Sequence, residues 1–246
     1  MMNFVLVPGE PDSRKNYNLP NIASLFPKKD IIRFTNILTK FIITLTAKIN
    51  CIEAGNKSLF SLVQKQPDRL LQFYWVVLNS SDALPELDKN YHLWHFNGLK
   101  VHQCWESFSF NSDIFEEVIR WAAEKELPIF IHAYSHQGIH DLISIIGQNP
   151  TTKFIIGHLF GLEIFIQADC NFDNTYFEIS PPALISEVRL RTALHQFGPS
   201  KLLFGSDIPY GINNQTITME RIQKLSLTSR EKEMILGHNF EKLIQS

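Results

Sequence analysis

From residue 70 onward, short apolar runs rich in β-branched and aromatic residues alternate with longer stretches of helical period. That alternation is the pattern of repeated β-α units feeding a parallel sheet. The runs that predict strands are LLQFYWVV (70–77), GLKVH (98–102), PIFIHAY (128–134), KFIIGH (153–158), TYFEIS (175–180) and KLLFGSD (201–207). Two earlier runs, FIITLTAKI (41–49) and FVLVP (4–8), extend the count to eight. Between the strands the period lengthens. A helix opens at Ser112 or Asp113, either of which can accept a hydrogen bond from a free backbone N–H, and Ile114, Val118 and Ala122 form its buried stripe. GIHDLISIIGQN stops before Pro150, GLEIFIQAD continues the series, and PALISEVRLRTALHQF closes at Gly198. Of two final helical segments, the second begins with Thr228 and Glu231 in capping-box spacing. QCWESFSFNS (103–112) has no period and reads as an aromatic loop.

Eight parallel strands with intervening helices in a chain of 246 residues predict an α/β fold, a (β/α)8 TIM-type barrel. The N-terminal part fits least well. Residues 8–30 are rich in proline and lack periodicity, so the expectation is one barrel domain over 1–246, distorted or incomplete at its start, with 1–35 as an irregular arm. A doubly wound open sheet is the competing architecture, but no glycine-rich fingerprint follows an early strand.

Composition narrows the function classes. The formal net charge is -2 and no block of like charge stands out, so nucleic acid is not an expected partner. Cys51, Cys104 and Cys170 are far apart, in neither a disulfide framework nor a zinc-knuckle spacing. The first apolar run has no basic region before it, and the second is broken by Lys48, well short of the roughly 20 residues a bilayer crossing needs. The expected setting is cytoplasmic and away from membranes. The expected partners are a small-molecule substrate and, as an option, further copies of the same chain.

In a parallel barrel, side chains from different strands converge at the C-terminal strand ends. The polar residues there are Lys100, His102, His132, His158, Glu178 and Asp207. Imidazole and carboxylate suit zinc, manganese or iron, and they are also the usual general acids and bases. Asp207 draws attention because it ends an apolar run, and a buried carboxylate is costly unless paired, hydrogen-bonded or metal-bound. Glu178 reads as a buried ion-pair partner.

FNGLKVHQ, LPIFIHAY, FIIGHLFG, KLLFGSDIPYG and ILGHNFEKLI, in that order, resemble the amidohydrolase superfamily, specifically its amidohydrolase-related branch of metal-dependent hydrolases and non-oxidative decarboxylases. The resemblance implies a divalent metal, zinc or manganese, with His132 as a ligand. His158 would be a second ligand or a substrate-polarising acid, and Asp207 both a metal contact and the base that takes a proton from water. Lys100, His102, Trp105, Tyr134 and Tyr210 would bind substrate; Lys100 is alternatively a carboxylated bridging lysine, as in some members. One departure stands out. The branch's first strand normally ends in His-x-His, whereas no histidine occurs here before His92, and only Glu10 and Asp12 share the spacing.

The remaining histidines have plainer readings. His136 and His140 lack an accompanying HExxH glutamate and read as a solvated pair, His92 and His95 as a surface turn, and His238 as structural. Three functions follow. The first is an amidohydrolase-like hydrolase of a lactone, amide or carboxylated ring, metal-assisted or with Asp207 activating water unaided. The others are a non-oxidative decarboxylase and a degenerate barrel that binds small molecules or acts as a scaffold.

Overall fold

The structure is a computed structural model that describes residues 4–8, 41–46, 52–168, 170–207, 210–211 and 213–245. Eight strands pair in parallel in chain order: β1 (Phe4–Pro8), β2 (Phe41–Thr46), β3 (Leu70–Trp75), β4 (Gly98–His102), β5 (Ile129–His132), β6 (Phe154–Ile156), β7 (Thr175–Glu178) and β8 (Leu202–Leu203). This is the expected α/β barrel architecture, with all eight predicted strands in place. The predicted arm over 1–35, apart from β1, and the Glu10 and Asp12 pair lie outside the described residues.

Several boundaries move inward. β6 ends at Ile156, so His158 sits in the tight turn that follows, and Asp207 lies four residues beyond the two-residue β8. The loop expected after β4 contains a short helix, α3 (Gln103–Glu106), after α1 (Ile52–Val63) and α2 (Ala83–Trp94). His92 and His95, expected in a surface turn, are the last turn and the left-handed C-cap of α2. The helix predicted near Ser112 is α4 (Asp113–Glu124); Ser112 is its N-cap but makes no side-chain capping bond. α5 (His136–Gln148) is capped by the Ser135 hydroxyl, which accepts from the Gly138 N–H at 3.0 Å. α6 (Leu162–Gln167) and α7 (Glu187–Phe197) follow, the latter beginning later than its apolar pattern suggests because Ser186 caps it. After α8 (Asn214–Gln223), the predicted capping box of Thr228 and Glu231 opens α9 (Ser229–Glu233), which leads into α10 (Asn239–Gln245). No described helix is long and apolar enough to cross a membrane.

Side chains alternate across each strand, which gives the sheet two unlike faces. On the outer face Leu99, Val101, Ile129, Ile131, Phe154, Ile156 and Phe177 are buried against α4, α5 and α7, in one cluster with Phe115, Val118, Leu142 and Leu190. The predicted stripe on α4 turns slightly: Val118 and Ala122 are buried, with Phe115 and Ile119, while Ile114 only packs against the cluster. Each large apolar side chain so buried contributes about 1.5–3 kcal/mol. On the inner face Leu71, Phe73, Phe130, Ile155 and Leu203 meet Phe240 and Leu243 of α10 and form an apolar floor. Gly98 belongs to this layer: a Cβ there would lie 2.5 Å from the Phe73 ring, so the missing side chain is the room the ring occupies. Above the floor the inner face becomes polar.

Candidate active site

Ladder pairing fixes which side chains meet. Lys100 lies beside Trp75 and Phe130 in the register of β3, β4 and β5, and His102 lies beside His132. Their rings stack at 3.9 Å between centroids, and His158 meets the His132 ring edge-on at 4.8 Å. Trp75 stacks on the other face of this row, 5.4 Å from His102 and 11° from parallel. Trp105, from α3, leans on both rings at 6.0 and 5.4 Å. Four of the residues predicted from sequence, His102, His132, His158 and Trp105, thus form one connected aromatic row.

Lys100 is fully buried, its Nζ 4.0 Å above the Phe130 ring and without a hydrogen-bond acceptor. Desolvation drives its pKa down to about 7, against the opposing pull of Asp207, Glu178 and Glu106. The same burial, with Lys100 as a neighbouring cation, holds His102 and His132 far below the ordinary imidazole range, so both are neutral. Asp207 is buried, and desolvation lifts its carboxyl to about 6, with His158 and Lys100 pulling down and Glu178 pushing up. A group tuned to that range can give or take a proton near neutrality.

His158 is the exception among the histidines. Its Nδ1 lies 2.6 Å from the Ser180 carbonyl, which can only accept, so Nδ1 carries a hydrogen. Glu178 Oε2 accepts from the His158 backbone N–H at 3.0 Å and lies 3.3 Å from Nδ1, while Oε1 accepts from the Ser180 N–H at 2.7 Å. Burial opposes a charge on His158, but the hydrogen bond and charge of Glu178, helped by Asp207, outweigh it and raise the imidazole above its ordinary value. The site therefore brings together an imidazole held above its ordinary value, a lysine lowered to about 7, a carboxyl lifted to about 6 and two neutral imidazoles.

Backbone strain gathers at the same place. His158, Leu159 and Asp207 have φ of 62°, 50° and 49°, a left-handed conformation that non-glycine residues rarely adopt and that recurs where strain serves a site. Nδ1 of His102 and His132 and Oδ1 of Asp207 are buried without a hydrogen-bond partner, as is Lys100 Nζ. Orphaned buried polar atoms converging on one spot are what a site built for a ligand leaves.

Among the described residues no group of three His, Cys, Asp or Glu side chains is placed to hold one ion; the candidate ligands Glu10 and Asp12 lie outside those residues. The other substrate-binding candidates lie at the surface. Tyr134 and Tyr210 are exposed, and Tyr134 donates its backbone N–H to Gln103 Oε1 at 3.0 Å. His136 and His140 are exposed on α5, as expected. Two residues escape the sequence pattern altogether. Glu106, buried on α3, accepts from Trp75 Nε1 at 2.6 Å and from the Leu78 N–H at 2.8 Å, and Trp75 is thereby fixed as the back wall. Asn56 on α1 completes the mount, exchanging hydrogen bonds with the Trp75 backbone at 2.9 and 3.0 Å.

The architecture, with a polar strand-end cluster over an apolar floor, coincides with a family assignment. Residues 48–244 match the family described as amidohydrolase, and the chain belongs to it. Solved structures of the same fold include an amidohydrolase II (19% identity, TM-score 0.76, covering 100% of this chain and 99% of that one). A 2,6-dihydroxybenzoate decarboxylase from Rhizobium is similar at 15% identity and TM-score 0.73, covering 100% and 99%. A dihydroxybenzoic acid decarboxylase from a Polaromonas species, solved with manganese and the inhibitor 2-nitroresorcinol, is similar at 15% identity and TM-score 0.74, covering 99% and 96%. No curated protein matches the chain.

Proposed function

We propose that this protein is a non-oxidative decarboxylase of a small, hydroxylated aromatic carboxylic acid. The observation that carries the reading is the burial in one cluster of a carboxyl lifted to about 6, Asp207, with Lys100, whose pKa falls to about 7, and His158, whose imidazole is raised above its ordinary value. A substrate carboxylate entering this desolvated cluster favours the charged forms of Lys100 and His158 and the protonated form of Asp207. Asp207 then delivers its proton to the ring carbon that bears the carboxylate. A C–H bond forms, the bond to the carboxylate breaks, its electron pair restores the aromatic ring, and CO2 leaves; solvent reprotonates Asp207. Trp75, His102 and Trp105 supply a flat wall suited to a ring. The names of the similar structures support the same chemistry. No step is assigned to a metal, because the described residues do not assemble a set of ligands for one.

Hydrolysis is the second reading, favoured by one fact: with a pKa of about 6, Asp207 is largely ionised at pH 7 and able to take a proton from water. Incubating the protein with a panel of ortho-hydroxybenzoic acids, 2,6-dihydroxybenzoate among them, and counting released CO2 separates the two. Decarboxylation predicts CO2 and the decarboxylated phenol in equal amounts. Turnover of lactones or amides with no CO2 from any acid overturns the reading in favour of hydrolysis.

A further inference from the structure

Glu178 is completely buried at the end of β7, yet its carboxylate contacts no cation other than the His158 ring among its described partners. Each of its oxygens instead accepts a backbone N–H, from Ser180 and from His158 itself. A carboxylate with that arrangement fixes main chain as well as side chain. It pins the turn in which His158 takes its left-handed conformation. The segment just after β8 is shaped around it: a Cβ on Gly205 would lie 1.7 Å from Glu178 Oε1 and 2.6 Å from its Cδ. Gly205 has no positive φ, so its lack of a side chain answers to space and not to backbone conformation.

We infer that Glu178 is a positioning residue for His158 and that Gly205 is the residue that makes room for it. With Nδ1 committed to the Ser180 carbonyl and to Glu178, Nε2 is the nitrogen left to meet a ligand. The His132 ring, edge-on at 4.8 Å, closes the other side. Glu178 therefore sets where the imidazole can stand, while Ser180 sets which nitrogen bears the hydrogen. The inference rests on the reading of this cluster as the active site, but its primary readout does not depend on the substrate.

The test is a set of four variants of the full chain: Glu178→Gln, Glu178→Asp, Gly205→Ala and the double variant Gly205→Ala with Glu178→Asp. The readout is the imidazole Nδ1–H proton resonance of His158, assigned by its loss in His158→Asn, alongside thermal unfolding. In the wild type this proton is held in a hydrogen bond and is visible at low field. Glu178→Gln replaces one of the two acceptor oxygens with an NH2 that faces a backbone N–H of Ser180 or His158, so the turn and the ring on it lose their fixed place and the resonance disappears through exchange with water. Gly205→Ala does the same by displacing the carboxylate. The shorter aspartate leaves room for the alanine methyl, so the double variant recovers the resonance that Gly205→Ala loses; residues acting as one unit are non-additive in this way. Where a hydroxybenzoate is turned over, kcat in Glu178→Gln falls by about 100-fold with KM nearly unchanged, the scale of effect of a misplacement of about 1 Å. An unchanged resonance in folded Glu178→Gln and Gly205→Ala overturns the inference. If Glu178→Gln does not fold, strictly additive effects of Gly205→Ala and Glu178→Asp overturn it equally. Absence of CO2 release by the wild type with the resonance pattern intact contradicts the proposed reaction and leaves the positioning role standing.

Discussion

The two faces of β4 are built from neighbouring residues and do opposite work. Leu99 and Val101 point outward and are fully buried in an apolar cluster with residues of α4. Lys100 and His102, one step along the same strand, point inward and are as deeply buried, yet Lys100 Nζ and His102 Nδ1 have no hydrogen-bond partner. The outer face stabilises the barrel and could be apolar in many ways. The inner face lowers stability, since an unpaired buried charge costs several kcal/mol, and such a cost persists where a ligand repays it.

Breaking the contrast at its centre should have the largest effect. Asp207→Asn keeps the shape of the side chain and removes its proton; the expected outcome is a loss of kcat of roughly 1,000-fold, within the range of about 10²–10⁴ for general acid–base groups. Next comes Lys100→Met, which separates the two faces most cleanly. Binding of the carboxylate should weaken by about 10- to 100-fold, as for loss of a charge-assisted hydrogen bond, while the fold gains about 1–4 kcal/mol from an apolar isostere. Urea unfolding and KM measured on the same preparation check both signs.

The linkage of Lys100 gives a companion test. Its folded-state pKa of about 7 lies below the ordinary lysine value of 10.5, so between these values the unfolded chain binds more protons and stability rises with pH. That contribution is complete above 10.5 and is lost as the pH falls through 7. Unfolding curves at pH 7 and pH 9 should show the slope in the wild type and its absence in Lys100→Met.

On the outer face, Phe115→Ala should cost about 3–5 kcal/mol. The predicted signature is a lower Tm with kcat/KM retained in the surviving folded fraction. The smallest effect is expected from Trp75→Phe, which keeps a ring against His102 but strands Glu106 without its indole donor. A penalty of about 1–3 kcal/mol for the unsatisfied carboxylate, and a change in KM of only a fewfold, would mark Trp75 as wall and not chemistry.

The same contrast explains what could be read from the sequence. Strands at 98–102 and 129–132 were visible because their outer residues are Leu, Val and Ile, and the parallel order followed from the helical stretches between them. Lys100, His102, His132, His158 and Asp207 stood out because they interrupt or end those runs. What stayed hidden depends on three-dimensional neighbours. Glu106 sits in a stretch with no period and acts across 31 residues on Trp75, and Asn56 reaches the Trp75 backbone from α1. The role of Gly205, two residues past β8, is set by the position of Glu178 at the end of β7. Left-handed backbone at His158 and Asp207 has no signature, since neither residue type requires it. The metal expectation rests on ligand types at strand ends and on a family pattern; among the described residues no three such side chains converge on one point, and the segment that carries Glu10 and Asp12 lies outside them.

The central claim is that Asp207 acts as a proton donor. It is tested most directly by the pH dependence of kcat/KM for a hydroxybenzoate, with released CO2 as the signal. The free-enzyme carboxyl titrates at about 6, so donation by Asp207 predicts a kcat/KM that falls tenfold per unit above that value, and more steeply once Lys100 loses its charge near 7. A kcat/KM that instead rises through pH 6 to a plateau would mean that Asp207 works as a base, and would contradict the account.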